Sequence, residues 1–305
     1  MATLYTLQGK NVRRTWFLMA VFLVIVIAIG YFISYYYNDP AIVVMAVVFA
    51  LVMNVTSYWY SDKISLSLAR AIPAKREENV ELFQVVENLS ITAGLPQPKV
   101  YIIPDQAPNA FATGRDKEHA SIAVTSGLLG MMDKNELSGV IAHELSHIGN
   151  RDILLSTVVV VLVGFISILA YIFTRSMFLG GGSAGRRSGD SRNGGGQLGL
   201  ILAIVGIVFV ILSPIIAQLI QLAISRKRES LADADGALLT RYPEGLASAL
   251  EKIEGYGRPM ATANNATAHM YISNPFGQGA SKGLAKLFMT HPPTEERIKA
   301  LRAME

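Results

Sequence analysis

The residues of this chain best suited to chemistry are His143-Glu144-Leu145-Ser146-His147, an H-E-x-x-H pattern set in a run with helical signals. Asp133 is a good N-cap residue and Glu136 follows three positions on, as in a capping box. Leu137, Val140, Ile141, Leu145 and Ile148 recur at helical spacing and supply one apolar face. Residues four apart on a helix lie one turn above each other. His143 and His147 therefore aim two imidazole nitrogens at a single point. Zinc takes such ligands at about 2.0–2.1 Å in a tetrahedral arrangement. Glu144 is too close to His143 in sequence to be a third ligand from the same turn. It is well placed to reach a water held by the metal, a general-base role. The plainer reading is a surface helix with two solvated histidines.

A zinc held by two histidines needs a third protein ligand and an open fourth position. The chain has no cysteine, so only His, Glu or Asp can serve. Glu229 is the candidate, in Arg226-Lys227-Arg228-Glu229-Ser230-Leu231-Ala232-Asp233. Asp233 shares its helical face and is placed to accept a hydrogen bond from the outer nitrogen of a ligand imidazole. Alone, the stretch reads as a charged helix in which Glu229 offsets Arg226 and Arg228. Beside H-E-x-x-H it reads as the missing ligand. A peptidase also needs a donor for the developing oxyanion. His291 and Tyr271 are the candidates, with His269 behind them, although such residues are more often structural. His119 sits in a polar turn and reads as solvated.

The elements that must position these groups are partly membranous. The 305 residues are 51% hydrophobic and 16% charged, against about 25% charged in soluble domains. Trp16 to Tyr37 and Ala41 to Tyr60 are apolar stretches joined by Asn38-Asp39-Pro40, each about long enough to span a bilayer. Trp16, Tyr35, Tyr36, Tyr37, Tyr58 and Trp59 fall at the segment ends, where aromatic belts sit. A second span follows directly on the first, which argues against a cleaved signal peptide. Lys10, Arg13 and Arg14 precede the first span and Lys63, Arg70, Lys75 and Arg76 follow the second. The positive-inside rule places both flanks in the cytoplasm.

Four parts follow in order. Residues 1–62 are the first membrane hairpin, and 63–152 the first half of a catalytic module. Residues 153–224 form a second hydrophobic hairpin, and 225–305 complete the module with the third ligand. The second hairpin joins Ile153 to Phe173 with Leu198 to Ile224, which Pro214 is expected to kink. Between them, 174–197 is a flexible loop rich in Gly, Ser and Arg. Its arginines oppose the charge rule if both segments cross, but residues before 153 and after 224 finish on one side either way. Too few aromatics interleave there for nucleic-acid binding.

Within the module, Glu77 to Ala93 reads as an amphipathic helix ended by Gly94 and Pro96. Lys99 to Ile103, Asn109 to Gly114 and Ser121 to Thr125 read as strands of a small antiparallel sheet. Asn109 to Thr113, with small side chains, offers an edge along which an extended substrate can lie. It reads equally as an ordinary internal strand. Pro243 to Glu254 and Thr294 to Ala303 are further helices. The fold class expected is mainly helical α+β.

H-E-x-x-H followed by Glu229-x-x-Ala232-Asp233 resembles the membrane-embedded gluzincin metallopeptidases, the family of the CAAX prenyl protease and the HtpX-type heat-shock proteases. The likeness extends over nearly the whole chain. It includes Asn109 to Gly114, Val124 to Leu128, Ser273-Asn274-Pro275 and His291-Pro292-Pro293-Thr294. It implies zinc on His143, His147 and Glu229, with Glu144 catalytic. It further implies a stress-response protease of the inner membrane that cuts damaged or misassembled membrane proteins from the cytoplasmic side. The rival class is a non-catalytic membrane metal-binding or transport protein. Transporters place ionisable residues inside their spans, whereas the four apolar segments here hold none.

Overall fold

A computed structural model describes residues 4–164, 226–277 and 293–304. Loop 174–197, the fourth apolar stretch with Pro214, and His291 lie outside them.

Helix α1 (Leu4–Tyr37) and helix α2 (Ala41–Leu68) pack side by side as a hairpin. Within them, Gln8–Tyr35 and Ala41–Leu68 are long and apolar enough to cross a bilayer. They turn Phe17, Val24, Phe32, Val44, Val48 and Val52 outward. Such a continuous apolar surface is suited to lipid rather than water. At the tight end, Asp39 Oδ1 accepts the Ala41 amide at 2.9 Å and Ser34 Oγ donates to the Asp39 carbonyl at 2.7 Å. The other end of α1 begins well before Trp16 and carries polar residues out of the apolar zone.

The sheet contains β1 (Ile72–Pro73), β2 (Lys99–Ile103), β3 (Ala110–Gly114) and β4 (Ala120–Thr125), in the order β1-β2-β4-β3. It is mixed where an antiparallel sheet was expected. The chain leaves β2, passes over to β3 and turns back in a hairpin, so β4 inserts between them. That makes β4 antiparallel to β3 and parallel to β2, with Tyr101 opposite Ala123. The two-residue β1 has too little pattern to be read from sequence.

Both sheet faces are covered, and alternation along the strands decides what meets what. Ala110, Ala112, Ile122 and Val124 face helices α3 (Val80–Ala93), α5 (Lys134–Gly149) and α8 (Pro243–Tyr256). Phe111 and Ala123 face the other way, toward Leu18, Met19 and Phe22 of α1, Leu66 of α2, and Leu154 to Val163 of α6 (Asp152–Gly164). The membrane hairpin is thus one wall of the same core that the catalytic helices complete. Short helix α4 (Ser126–Met131) follows β4.

Helix α5 starts with the capping box that its sequence predicts. Asp133 accepts from the Asn135 and Glu136 amides at 2.8 and 2.9 Å, and Glu136 accepts the Asp133 amide at 2.9 Å. Lys252 and Ser248 of α8 each reach Glu136 at 2.6 Å, pinning this end to its neighbour. At the far end the chain turns through 85° into α6. Gly149-Asn150-Arg151 makes the corner, with Arg151 at φ 56°. Helices α7 (Arg226–Thr240) and α8 lie against α5, and α9 (Thr294–Arg302) packs on α8.

Candidate metal centre

His143 and His147 project from one face of α5 toward Glu229 on α7. Their Nε2 atoms are 3.2 Å apart. Glu229 Oε2 lies 3.8 Å from His143 Nε2, and Oε1 lies 3.6 Å from His147 Nε2. Tetrahedral zinc with ligand bonds of about 2.0–2.1 Å separates its ligand atoms by about 3.3 Å. The observed triangle is a few tenths of an ångström wider along the glutamate edges, so these side chains fit such an ion with small rotations. Its donor set, two imidazoles and one carboxylate, matches a site with one open position.

The outer nitrogens support this arrangement. His147 Nδ1 is 3.1 Å from Asp152 Oδ2, and His143 Nδ1 is 3.0 Å from Asp233 Oδ1, a short contact off the ideal hydrogen-bond line. Carboxylates at both Nδ1 atoms turn the two Nε2 atoms toward one point, where a single cation can meet them. Burial works against charging His147, but the bond to Asp152 and the negative field of Glu229 outweigh it and push it up to about 9. Burial dominates at His143 and lowers it, against the pull of Asp233.

Asp233 is clamped in turn. Arg297 of α9 donates to it from Nε at 2.9 Å and Nη2 at 2.7 Å, and to the Ile272 carbonyl at 3.0 Å. Burial raises the Asp233 carboxyl, but Arg297 and His143 win and hold it near 2. Arg297 Nη1 also lies 3.9 Å from Glu229. Helix α7 can lie this close to α5 because Gly236 faces His143, where a Cβ would come within 3.2 Å of the backbone nitrogen.

Glu144 is buried beside the cluster and accepts from the Ala112 backbone N–H. Burial, aided by Glu229 and opposed by His147, pushes it up to about 7. Along with both histidines and Glu229, it lines a cavity of about 30 Å³, whose wall also includes Ser156, His269, Met270, Tyr271 and Ile272. That is room for an ion and a water, not for a peptide.

Three residues singled out from sequence sit differently. The Tyr271 ring packs edge-on against Phe111, and its hydroxyl has Asp105, Thr262 and Thr267 as neighbours, a setting that raises its pKa chiefly through burial. The Asn109 amide is committed to Ser273, donating to its carbonyl at 2.9 Å and accepting its N–H at 3.3 Å. His269 Nε2 is 3.0 Å from the Ser156 carbonyl, at the cavity wall. Strand β3 is an edge, yet several of its outward groups are engaged. Ile272 N–H bonds the Ala110 carbonyl at 2.9 Å, and the Gly114 amide bonds Thr157 Oγ1 at 3.4 Å. His119 is exposed and pairs with Asp116 at 2.6 Å.

Sequence reasoning missed Arg297 and Asp152. Arg297 is one basic residue in a charged terminal helix, and nothing local marks it. Asp152 did carry a signal, a carboxylate five residues beyond the second histidine where the helix breaks.

An H-E-x-x-H helix joined by a glutamate from a second helix, in a chain with apolar membrane-length helices, defines a membrane metallopeptidase of the gluzincin kind. Residues 76–305 match the model of peptidase family M48, and the chain belongs to that family. It is 50% identical to a protein named "Protease HtpX homolog" from Caldanaerobacter subterraneus subsp. tengcongensis, over 99% of this chain and 98% of that one. Like-named proteins of Thermococcus sibiricus and Lactobacillus helveticus are 49% and 45% identical, over 95% and 99% of this chain and 94% and 100% of theirs. Among solved structures, the S. mikatae Ste24p crystal structure aligns with a TM-score of 0.48 at 19% identity, covering 91% of this chain and 62% of that one.

Proposed function

We propose that this membrane metallopeptidase is a zinc-dependent endopeptidase. It cuts unfolded or misassembled membrane proteins from the cytoplasmic side of the inner membrane. The observation that carries the reading is the convergence of His143, His147 and Glu229 with Glu144 buried beside them. Bound there, zinc would supply Lewis acidity, polarising the scissile carbonyl and acidifying water. Glu144 then acts as base and acid in turn. It takes a proton from the attacking water as the new C–O bond forms, and gives it to the amide nitrogen as the C–N bond breaks. Its raised pKa suits a group that must both accept and release a proton near neutrality, and a dication beside it would favour the carboxylate. Met270 to Ile272 must move off the border of β3 before a peptide can lie along it. Proteolysis is supported by the names of the relatives, and the cytoplasmic side by the basic flanks of the first hairpin; the substrate class is what the family resemblance implies.

The test is zinc stoichiometry and casein cleavage in detergent. Wild type should bind one zinc per chain and cleave. Glu144→Gln should keep the metal and lose at least about a hundredfold in rate, the usual scale for a general base. Glu229→Ala should lose the metal. Full cleavage by Glu144→Gln, or stoichiometric zinc in Glu229→Ala, would overturn the reading.

A further inference from the structure

The start of α1 carries Gln8, Asn11 and Thr15 at helical spacing, and Asn11 and Thr15 are buried although polar. This face meets the corner that ends α5. Gln8 Nε2 donates to the Gly149 carbonyl at 2.6 Å, and Asn11 Nδ2 to the Asn150 carbonyl at 3.2 Å. Asn11 Nδ2 also donates to Asp152 Oδ1 at 2.6 Å, and Arg228 donates to the same oxygen at 3.3 Å. Arg228 Nη1 donates to the Asn11 side-chain Oδ1 at 3.4 Å. One orientation of the amide satisfies all of these, with nitrogen toward acceptors and oxygen toward the guanidinium. The other oxygen of Asp152 is the one that holds His147 Nδ1.

We infer that Asn11 is a positioning residue of the metal centre, and that the first membrane helix thereby supplies part of it. The claim rests on the proposed metallopeptidase reading. Asp152 sits at the head of α6, just past an 85° turn, and no regular helical bonding of α5 reaches it. Asn11 and Arg228 fix one carboxylate oxygen so that the other meets His147 and holds its proton on Nδ1. Nε2 is then presented toward Glu229. Leucine at position 11 keeps the branched shape, is somewhat larger, and loses every hydrogen bond of the Asn11 amide.

The experiment uses the full chain in detergent, in the Glu144→Gln background to prevent self-cleavage. Zinc affinity is read by competition with a chromophoric chelator. Asn11→Leu should weaken zinc 10- to 100-fold, the range for losing an outer partner of a ligand, while the metal-free protein melts within a few degrees of its parent. Gln8→Leu removes an equivalent docking bond that does not touch Asp152 and should leave affinity within about twofold. In an Asp152→Ala background, Asn11→Leu should weaken zinc no further. Unchanged affinity in Asn11→Leu overturns the inference. So does an equal loss in Gln8→Leu, or an undiminished effect of Asn11→Leu without Asp152. Asn11→Ser takes the same measurements if the leucine variant does not fold. A parent that binds no zinc would instead sink the metallopeptidase reading.

Discussion

Asp233 shows at the residue scale how the site stores stability. Its carboxyl stands at about 2 against an ordinary 3.8 because Arg297 and His143 outweigh the cost of burial. Each unit of pKa is worth ~1.4 kcal/mol, so the ionised group stabilises the metal-free fold by on the order of 2 kcal/mol. The folded value lies below the unfolded one. The contribution is therefore present above about pH 4 and is lost as pH falls toward 2. Melting temperature of the metal-free protein should drop across that window, and Asp233→Asn should flatten the drop. It should also lower stability at neutral pH, since it leaves Arg297 buried opposite a neutral amide. A wild-type acid limb no steeper than that of the variant would refute this. Glu136 shows a second carboxylate doing local work. Burial opposes its ionisation, but Lys252 and Ser248 lower its pKa overall and keep α5 anchored to α8.

At the element scale, the site is a contact between two helices and depends on how closely they approach. Gly236 sets that distance from inside α7, one turn beyond Asp233. Gly236→Val places branched carbons against the His143 backbone, where a single Cβ already comes within 3.2 Å, and α7 must yield. Glu229 and Asp233 retreat with it, so zinc affinity should fall by at least tenfold, read by chelator competition, while Gly236→Ala should cost little. Equal affinities in the two variants would place the spacing elsewhere. Helix α5 was legible because its cap, apolar face and histidine spacing are all local to one run of residues. The parallel pairing of β2 with β4 was not. It depends on which slot the β3–β4 hairpin enters, and identical strand sequences serve either topology. Glu229 was legible only by its chemistry, since a two-histidine pattern demands a further ligand. Arg297 and Asn11 matter through contacts spanning 64 and 141 residues, and no spacing rule reaches that far.

At the scale of the whole molecule, the first hairpin and the catalytic module share one core. Leu18, Met19, Phe22 and Leu66 cover the same sheet face as Phe111 and Ala123. A chain lacking residues 1–62 would therefore bare the part of that face under Leu18, Met19 and Phe22, beyond losing its anchor. Such a truncation should aggregate or run as oligomers in size exclusion, whereas the full chain in detergent stays discrete. A monodisperse, zinc-binding fragment would show that the module stands alone. The sequence did mark the hairpin, by length, hydropathy and flanking charge. That it walls the sheet was hidden, because a lipid-facing leucine and a core leucine look alike in a span.

The small space beside Glu144 bears on how such a protein would live among its neighbours. With Met270 to Ile272 seated on the strand border, the space beside Glu144 suits an ion and a water and not a peptide. On the proposed reading, compact proteins drifting past in the same bilayer should be left whole. A slack stretch of backbone, able to trade its own pairing for that of the wall, should enter instead, so discrimination against well-folded bystanders would precede any choice of side chain.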